Sequence, residues 1–192
     1  MNEVINNIIT RRSIRSFQDK QIPLEDLRLI LLAGSYAPTG MGMQSWKFTA
    51  IQNQELLAKI NQVMRNTLLS IPEDDQNYTY FYPHIKKALN VDVNFLFHAP
   101  TYVIVSNLSD NKNAMADSAL AIGNMMLAAH SLGIGSCWLN QLPRLTHFQE
   151  IRNLLTELEI PENHLVYGSV VFGYPQEFPD PRPRKDVIKI YQ

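Results

Sequence analysis

The sequence predicts one domain in which helices and strands alternate, and three observations carry that prediction. The 192 residues are 45% hydrophobic and 18% charged, enough for one substantial core and too apolar for a disordered chain. Apolar residues recur at helical spacing in several segments separated by Gly and Pro. Between those segments lie short runs that alternate or are continuously apolar, the pattern of strands.

Val4, Ile5, Ile8 and Ile9 share one face of an N-terminal helix. A second helix runs from about Pro23 to Gly34. Pro23 suits its first turn, Leu24, Leu27, Ile30 and Leu31 set its period, and Gly34 stands near its end. Breakers make 38–42 a loop. Residues 46–52 alternate as a strand, and Gln54 to Ser70 is helical on Leu56, Leu57, Ile60, Val63 and Met64. From Pro72 to Pro83 the rings of Tyr78, Tyr80, Phe81 and Tyr82 follow no clean period. That stretch is either a mobile lid over a pocket or a connector whose rings pack down.

A helix from His84 to Phe97 leads to a buried strand at 101–105. The longest helix spans 113–132, where Ala116, Ala119, Gly123 and Ala128 admit a close neighbour and Gly133 ends the run. A strand follows at 136–140. Thr146 and Gln149 have capping-box spacing ahead of Ile151, and 164–172 is a fourth strand. Beyond Gly173-Tyr174-Pro175 the chain is Pro-rich and ends in the apolar stretch 187–191. It is too short for its own core and is expected to reach across another subunit.

A net charge of -1 argues against a general nucleic-acid binder. No apolar run nears the ~20 residues of a membrane span, and no signal peptide is visible. The one cysteine, Cys137, has no base beside it and reads as a packed small residue in a reducing, cytoplasmic setting. No histidine stands in a metal-binding spacing, and neither a Gly-x-Ser-x-Gly elbow nor a P-loop exists. Residues 133–138 place Trp138 where a dinucleotide fingerprint needs its third Gly. Chemistry without a resident nucleophile or metal points to a bound organic cofactor.

Arg11, Arg12, Ser13 and Arg15 put three cations and a hydroxyl into five residues of a chain with only 17 Lys and Arg. Such a set suits forked recognition of phosphate oxygens. At a helix end, Arg11 and Arg12 would also meet the carbonyl pole of the dipole, worth about 0.3–1 kcal/mol. A second basic cluster near the other terminus, Arg182, Arg184 and Lys185, weighs toward the phosphate reading.

Arg11 through Phe17 resembles the opening motif of the FMN-dependent nitroreductase family. Residues 37–48 (Ala-Pro-Thr-Gly-Met-Gly-Met-Gln-Ser-Trp-Lys-Phe) resemble its second motif. Asp117 to Met125, then Leu132 to Trp138, resembles its central helix and following strand, and Gly173-Tyr174-Pro175 with the basic tail resembles its end. The resemblance implies an α+β fold with a mixed or antiparallel central sheet of four to five strands flanked by helices. It implies a single FMN-binding domain over 1–192, in a homodimer whose 173–192 arm wraps the partner and whose two FMN molecules lie at the interface.

Carried over by position, Arg11, Arg12, Ser13 and Arg15 would hold the phosphate, the ribityl chain and the pyrimidine edge. Arg182, Arg184 or Lys185 would complete the phosphate site. Pro38, Thr39 and Gly40 would reach the flavin from the other subunit. Trp138, Leu139, Asn140 and Gln141 would line the ring, with a backbone N–H near Asn140 facing it. Gly42, in the same cofactor loop as Pro38, stands where the family usually has Asn, Ser45 stands where it has Pro, and Asn140 stands where an acid is common.

The implied activity carries hydride from NADPH or NADH through FMN to a nitroaromatic, quinone or similar small acceptor by a ping-pong mechanism. The Tyr78–Tyr82 segment is the candidate for shaping the acceptor pocket. Two other readings stand beside it: a relative with a different flavin reaction, and a non-catalytic FMN-binding protein for storage or sensing.

Overall fold

A computed structural model describes residues 2–185 and 187–192. The elements in chain order are α1 (Glu3–Thr10), α2 (Leu24–Ser35), a 3-10 turn (Gly40–Gly42), β1 (Lys47–Ile51), α3 (Gln54–Leu69), α4 (Tyr78–Ala88) and β2 (Thr101–Leu108). After them come α5 (Ala114–Ser131), β3 (Gly135–Leu139), α6 (Gln141–Leu145), α7 (Gln149–Glu157) and β4 (His164–Gly173). Asn2 and Asn53 cap α1 and α3 with side-chain oxygens that accept from Ile5 N–H and Leu56 N–H, satisfying amides the helices leave free.

The four strands stand in the order β1-β2-β4-β3, every neighbour antiparallel. Where a mixed or antiparallel sheet of four to five strands was expected, the described residues form an antiparallel sheet of four. Outside the sheet the described residues add two isolated bridges, Ser13 to Ser136 (parallel) and Phe17 to Pro175 (antiparallel). Both sheet faces are covered, so the strands read as continuous apolar runs. Tyr102, Ile104, Cys137, Leu139 and Val171 face the layer of α3, α4, α6 and α7. Their alternates Val103, Val105, Val170 and Phe172 face α2 and α5 through Ile30, Ile122 and Met125. Gly34 lies against the Met125 side chain, in space a Cβ would occupy, and so lets α2 and α5 approach closely.

Several boundaries differ from the sequence pattern. β2 continues past Val105 through Ser106 and Asn107, both fully buried, because each finds a partner. Ser106 Oγ pairs with His164 Nδ1 at 3.1 Å, and Asn107 Oδ1 accepts from Ser45 Oγ at 2.7 Å. The aromatic run is helical: α4 starts at Tyr78 with Pro83 inside it, and Phe81 packs into the core. Residues 89–97, expected to be the end of a helix, are irregular like 98–100 after them and are held by Asn94 Oδ1, which accepts from Leu96 and His98 N–H. No capping box forms at α7, since Phe148 is its N-cap and the Thr146 hydroxyl donates to Pro143 C=O. From Gln176 onward the described residues carry no helix or strand, and Val187, Ile190 and Tyr191 are exposed. Among the described residues no helix is long and apolar enough to cross a membrane, and no group of His, Cys, Asp and Glu could hold a metal ion.

Candidate functional site

The segment after α1 is bonded to one end of the β3-β4 pair, where Gly135 lies opposite Gly173. Ile14 N–H donates to Ser136 C=O at 2.9 Å, Gln18 N–H to Tyr174 C=O at 2.9 Å, and Gln176 N–H to Ser16 C=O at 3.0 Å. Gly135 makes this approach possible, because a Cβ there would stand 2.7 Å from Ile14 Cγ1 and 2.9 Å from Pro175 Cγ. Residues 11–15 are thereby brought beside the exit of β4, and the two basic clusters meet. Arg11, Arg12, Ser13, Arg15, Arg182 and Arg184 line one cleft of 230 Å³, with Pro179 and Asp180 beside them. Lys185 is not part of its wall.

The arginines are not equivalent. Arg12 Nη1 donates to Ile9 C=O at 2.8 Å and to Arg11 C=O at 2.9 Å, closing the carbonyl end of α1. Arg11 Nη1 is buried and finds no acceptor among the described residues. Burial, then the Arg12 and Arg184 guanidiniums, pull the Arg11 pKa down from its ordinary value. The one ion pair among the described residues, Lys59–Glu157, lies elsewhere. His130 Nε2 sits 2.9 Å from the Thr10 hydroxyl, and burial, followed by Arg11 and Arg12, holds its pKa below the ordinary 6.5. Ser136 Oγ, on the strand that carries this junction, is likewise buried without a partner. An unsatisfied buried donor in a field of like charges is costly, about 1–3 kcal/mol and more for a charged group, and an anion would relieve it. Ser136 was not singled out in the sequence, since a serine in a short strand carries no local mark of function.

Trp138 and Leu139 lie farther along β3, and Asn140 and Gln141 follow it at the start of α6. At about 3.3 Å per residue, Asn140 is ~13 Å beyond Ser136, so an elongated ligand would be needed to span both. Trp138 Nε1 donates to Asn140 Oδ1 at 2.6 Å, and its ring packs against Gly168, where a Cβ would stand 2.9 Å from the indole. The strand's period of two turns Trp138 toward α5 and buries Leu139 on the opposite face. Gln141 Oε1 is buried with no donor beside it.

Pro38, Thr39, Gly40 and Gly42 are not at the arginine cleft of the same chain. Gly40 N–H donates to Asp117 Oδ1 at 2.9 Å, and the Asn113 side chain occupies the space a Gly40 Cβ would need. Asn111 Nδ2 bridges Asp117 Oδ2 at 3.2 Å and Ser45 Oγ at 3.1 Å. Gly42 has φ +65° and Met41 φ +56°, so the loop is a left-handed turn. Gly and Asn are the residues that tolerate that conformation most readily, so Gly42 suits the turn.

Residues 8–174 match the family model described as the nitroreductase family. A crystal structure of a nitroreductase from Bacteroides fragilis with bound FMN is 40% identical, with 100% of each chain covered and a TM-score of 0.91. A protein of Archaeoglobus fulgidus, named provisionally as an NADH dehydrogenase/NAD(P)H nitroreductase, is 32% identical over 94% of this chain and 90% of its own length. The iodotyrosine deiodinase of Thermotoga neapolitana is 26% identical over 94% of this chain and 93% of its own.

Proposed function

This chain belongs to the nitroreductase family, and from that premise we propose that it is an FMN-dependent oxidoreductase that draws hydride from NADPH or NADH. The observation that carries the reading is the buried, unpartnered Arg11 Nη1 in a cleft walled by four arginines besides Arg12 and Ser13's hydroxyl-bearing turn. A phosphate monoester dianion supplies the missing acceptor and offsets the repulsion between Arg11 and Arg184. When bound, FMN supplies the two-electron chemistry, accepting hydride from the nicotinamide and passing the electrons to an acceptor.

The rest is done by the chain's own residues. Arg11, Ser13, Arg15, Arg182 and Arg184 hold the phosphate end, while Arg12 keeps α1 closed beneath it. β3 sets the direction from that end to Trp138–Gln141, where a backbone N–H at Asn140 and the unused Gln141 Oε1 offer a donor and an acceptor to the ring. Pro38–Gly42 contributes from a partner subunit and is held in shape by Asp117. A partner fits the apolar side chains left exposed, Val4, Ile5, Ile8 and Ile9 on α1 and Leu29 and Leu32 on α2. Nicotinamide and a nitroaromatic or quinone acceptor then use the same space in turn.

An absorbance spectrum of the purified protein equilibrated with FMN, then treated with NADPH in the absence of oxygen, tests this. Bound flavin that bleaches supports the reading. Bound flavin that neither NADPH nor NADH bleaches marks a storage or sensing protein, and absence of bound flavin overturns the cofactor assignment.

A further inference from the structure

A second cleft opens beside the segment assigned to the ring. α6 begins at Gln141, so Arg144 stands about one helical turn on and shares a face with it. Between α6 and the first turn of α4 lies a cleft of 450 Å³ lined by Gln76, Asn77, Tyr80, Phe81, Arg144 and His147. Its aromatic wall is fixed: Phe81 is buried in the core and meets Tyr80 edge-on, ring centroids 5.1 Å apart. The Arg144 guanidinium carbon stands 5.0 Å from the centroid of the Tyr80 ring, and Arg144 has no carboxylate within ion-pair distance among the described residues. A guanidinium held over a ring still has N–H groups to offer a carboxylate in a forked pair.

Lys87 and Arg144 both act on His84 beside the cleft, while the acids Glu73, Asp74 and Asp75 precede Gln76 in the chain. His84, on the next turn of α4, has a buried Nδ1 without a partner, and burial, then Lys87 and Arg144, hold its pKa down. The nearest acid in sequence, Asp75, already accepts from Asn77 N–H. An aromatic wall beside an uncommitted guanidinium matches an aromatic ring that carries an anion. A neutral quinone would fill the wall and leave the guanidinium unused.

Resting on the oxidoreductase reading above, we propose that this cleft selects the electron acceptor by charge, taking an aromatic ring that bears a carboxylate with the ring against Tyr80 and the carboxylate on Arg144.

The test compares 4-nitrobenzoate with 4-nitrobenzyl alcohol, two probes of nearly equal shape and different charge. Calorimetric titration of each into the FMN-equilibrated protein gives a readout independent of turnover, and it stays interpretable even if no flavin is retained. 4-Nitrobenzoate is expected to bind about tenfold more tightly than the alcohol, as a charge-assisted pair warrants. Arg144→Gln should remove that preference while changing the affinity for the alcohol far less, and Arg144→Lys should keep part of it. In steady state the loss should appear in KM for 4-nitrobenzoate more than in kcat. Equal affinities for the two probes in the unaltered protein would overturn the proposal, as would a preference that survives Arg144→Gln. A parallel loss for both probes with a lowered Tm would also overturn it, showing that Arg144 only clamps α4 to α6. So would a loss confined to NADPH with NADH spared, which would assign the cation to the nicotinamide dinucleotide instead.

Discussion

Arg11 is where residue-scale energetics and function meet. Its Nη1 is buried without an acceptor among the described residues, while the charges of Arg12 and Arg184 act against its own. In the free protein this is a cost, so Arg11→Gln is expected to leave the Tm of the ligand-free chain unchanged or raised. The same change should weaken FMN binding about 10- to 100-fold, the worth of one or two hydrogen bonds to a charged group. Thermal scans with and without FMN check both arms, since ligand binding raises Tm by mass action. The field of these arginines also reaches His130, whose pKa is held down by burial first and by Arg11 and Arg12 after it. His84 and His164 are held down as well, each chiefly by burial. In the unfolded chain all three take up protons near 6.5, and in the folded chain they resist until lower pH. The unfolded state therefore binds more protons in that interval, so stability falls as pH drops below 6.5. Inorganic phosphate in the cleft should cancel part of the arginine field and raise the His130 pKa, visible as an upward move of its NMR titration.

At the scale of elements, the 38–42 loop depends on α5. Asp117 is 3% exposed and accepts from both Gly40 N–H and Asn111 Nδ2. Asp117→Ala takes the acceptor from Gly40 N–H and one of the two acceptors of Asn111 Nδ2, so a loss of about 1–3 kcal/mol is expected, with faster hydrogen exchange at Gly40 N–H. Gly135→Ala acts at the other junction: a Cβ inserted against Ile14 and Pro175 should cost about 1–3 kcal/mol and loosen the arginine segment from β3. How much of this was legible beforehand follows from how local each signal is. The apolar runs that became β2 and β4, and the periodic helices α2, α3 and α5, declare themselves because burial on a face imposes a period that few neighbours can mask. Ser106 and Asn107 do not, because a polar pair extends a buried strand only when Ser45 and His164 arrive from distant elements. Pro83 hid the start of α4 for a different reason, since a proline within a helix is tolerated where packing such as that of Phe81 outweighs its cost. At the site, the two basic clusters were visible as composition, but their meeting depends on bonds from Ile14 to β3 and from Gln18 to the exit of β4. Asp117's grip on Gly40 spans 77 residues of chain and leaves no short-range mark.

For the whole molecule, the arrangement of the cofactor loop poses a question that a single chain cannot answer within itself. The arginine cleft and the Gly40 loop are built at different places on one subunit, each with its own anchoring network. If both serve one FMN, the loop must come from a second copy, and the apolar residues exposed on α1, on α2 and at 187–191 are the surface that copy would cover. Sedimentation should therefore show a dimer, and a chain ending at Lys185, which keeps Arg182 and Arg184 but loses the apolar end, should dissociate at higher concentration than the full chain. Pairing two defects makes the sharper test. Arg11→Gln damages the phosphate cleft and Asp117→Ala damages the loop, so each homodimer has two impaired sites. In a mixed dimer with the loop acting across the interface, both defects fall on one site and the other is intact. Co-expression in equal amounts would make about half the dimers mixed and restore FMN binding at roughly a quarter of all sites. A loop acting within its own subunit would leave every site with one defect and restore nothing. The recovered fraction of tightly bound flavin, read by absorbance after gel filtration, separates the two architectures.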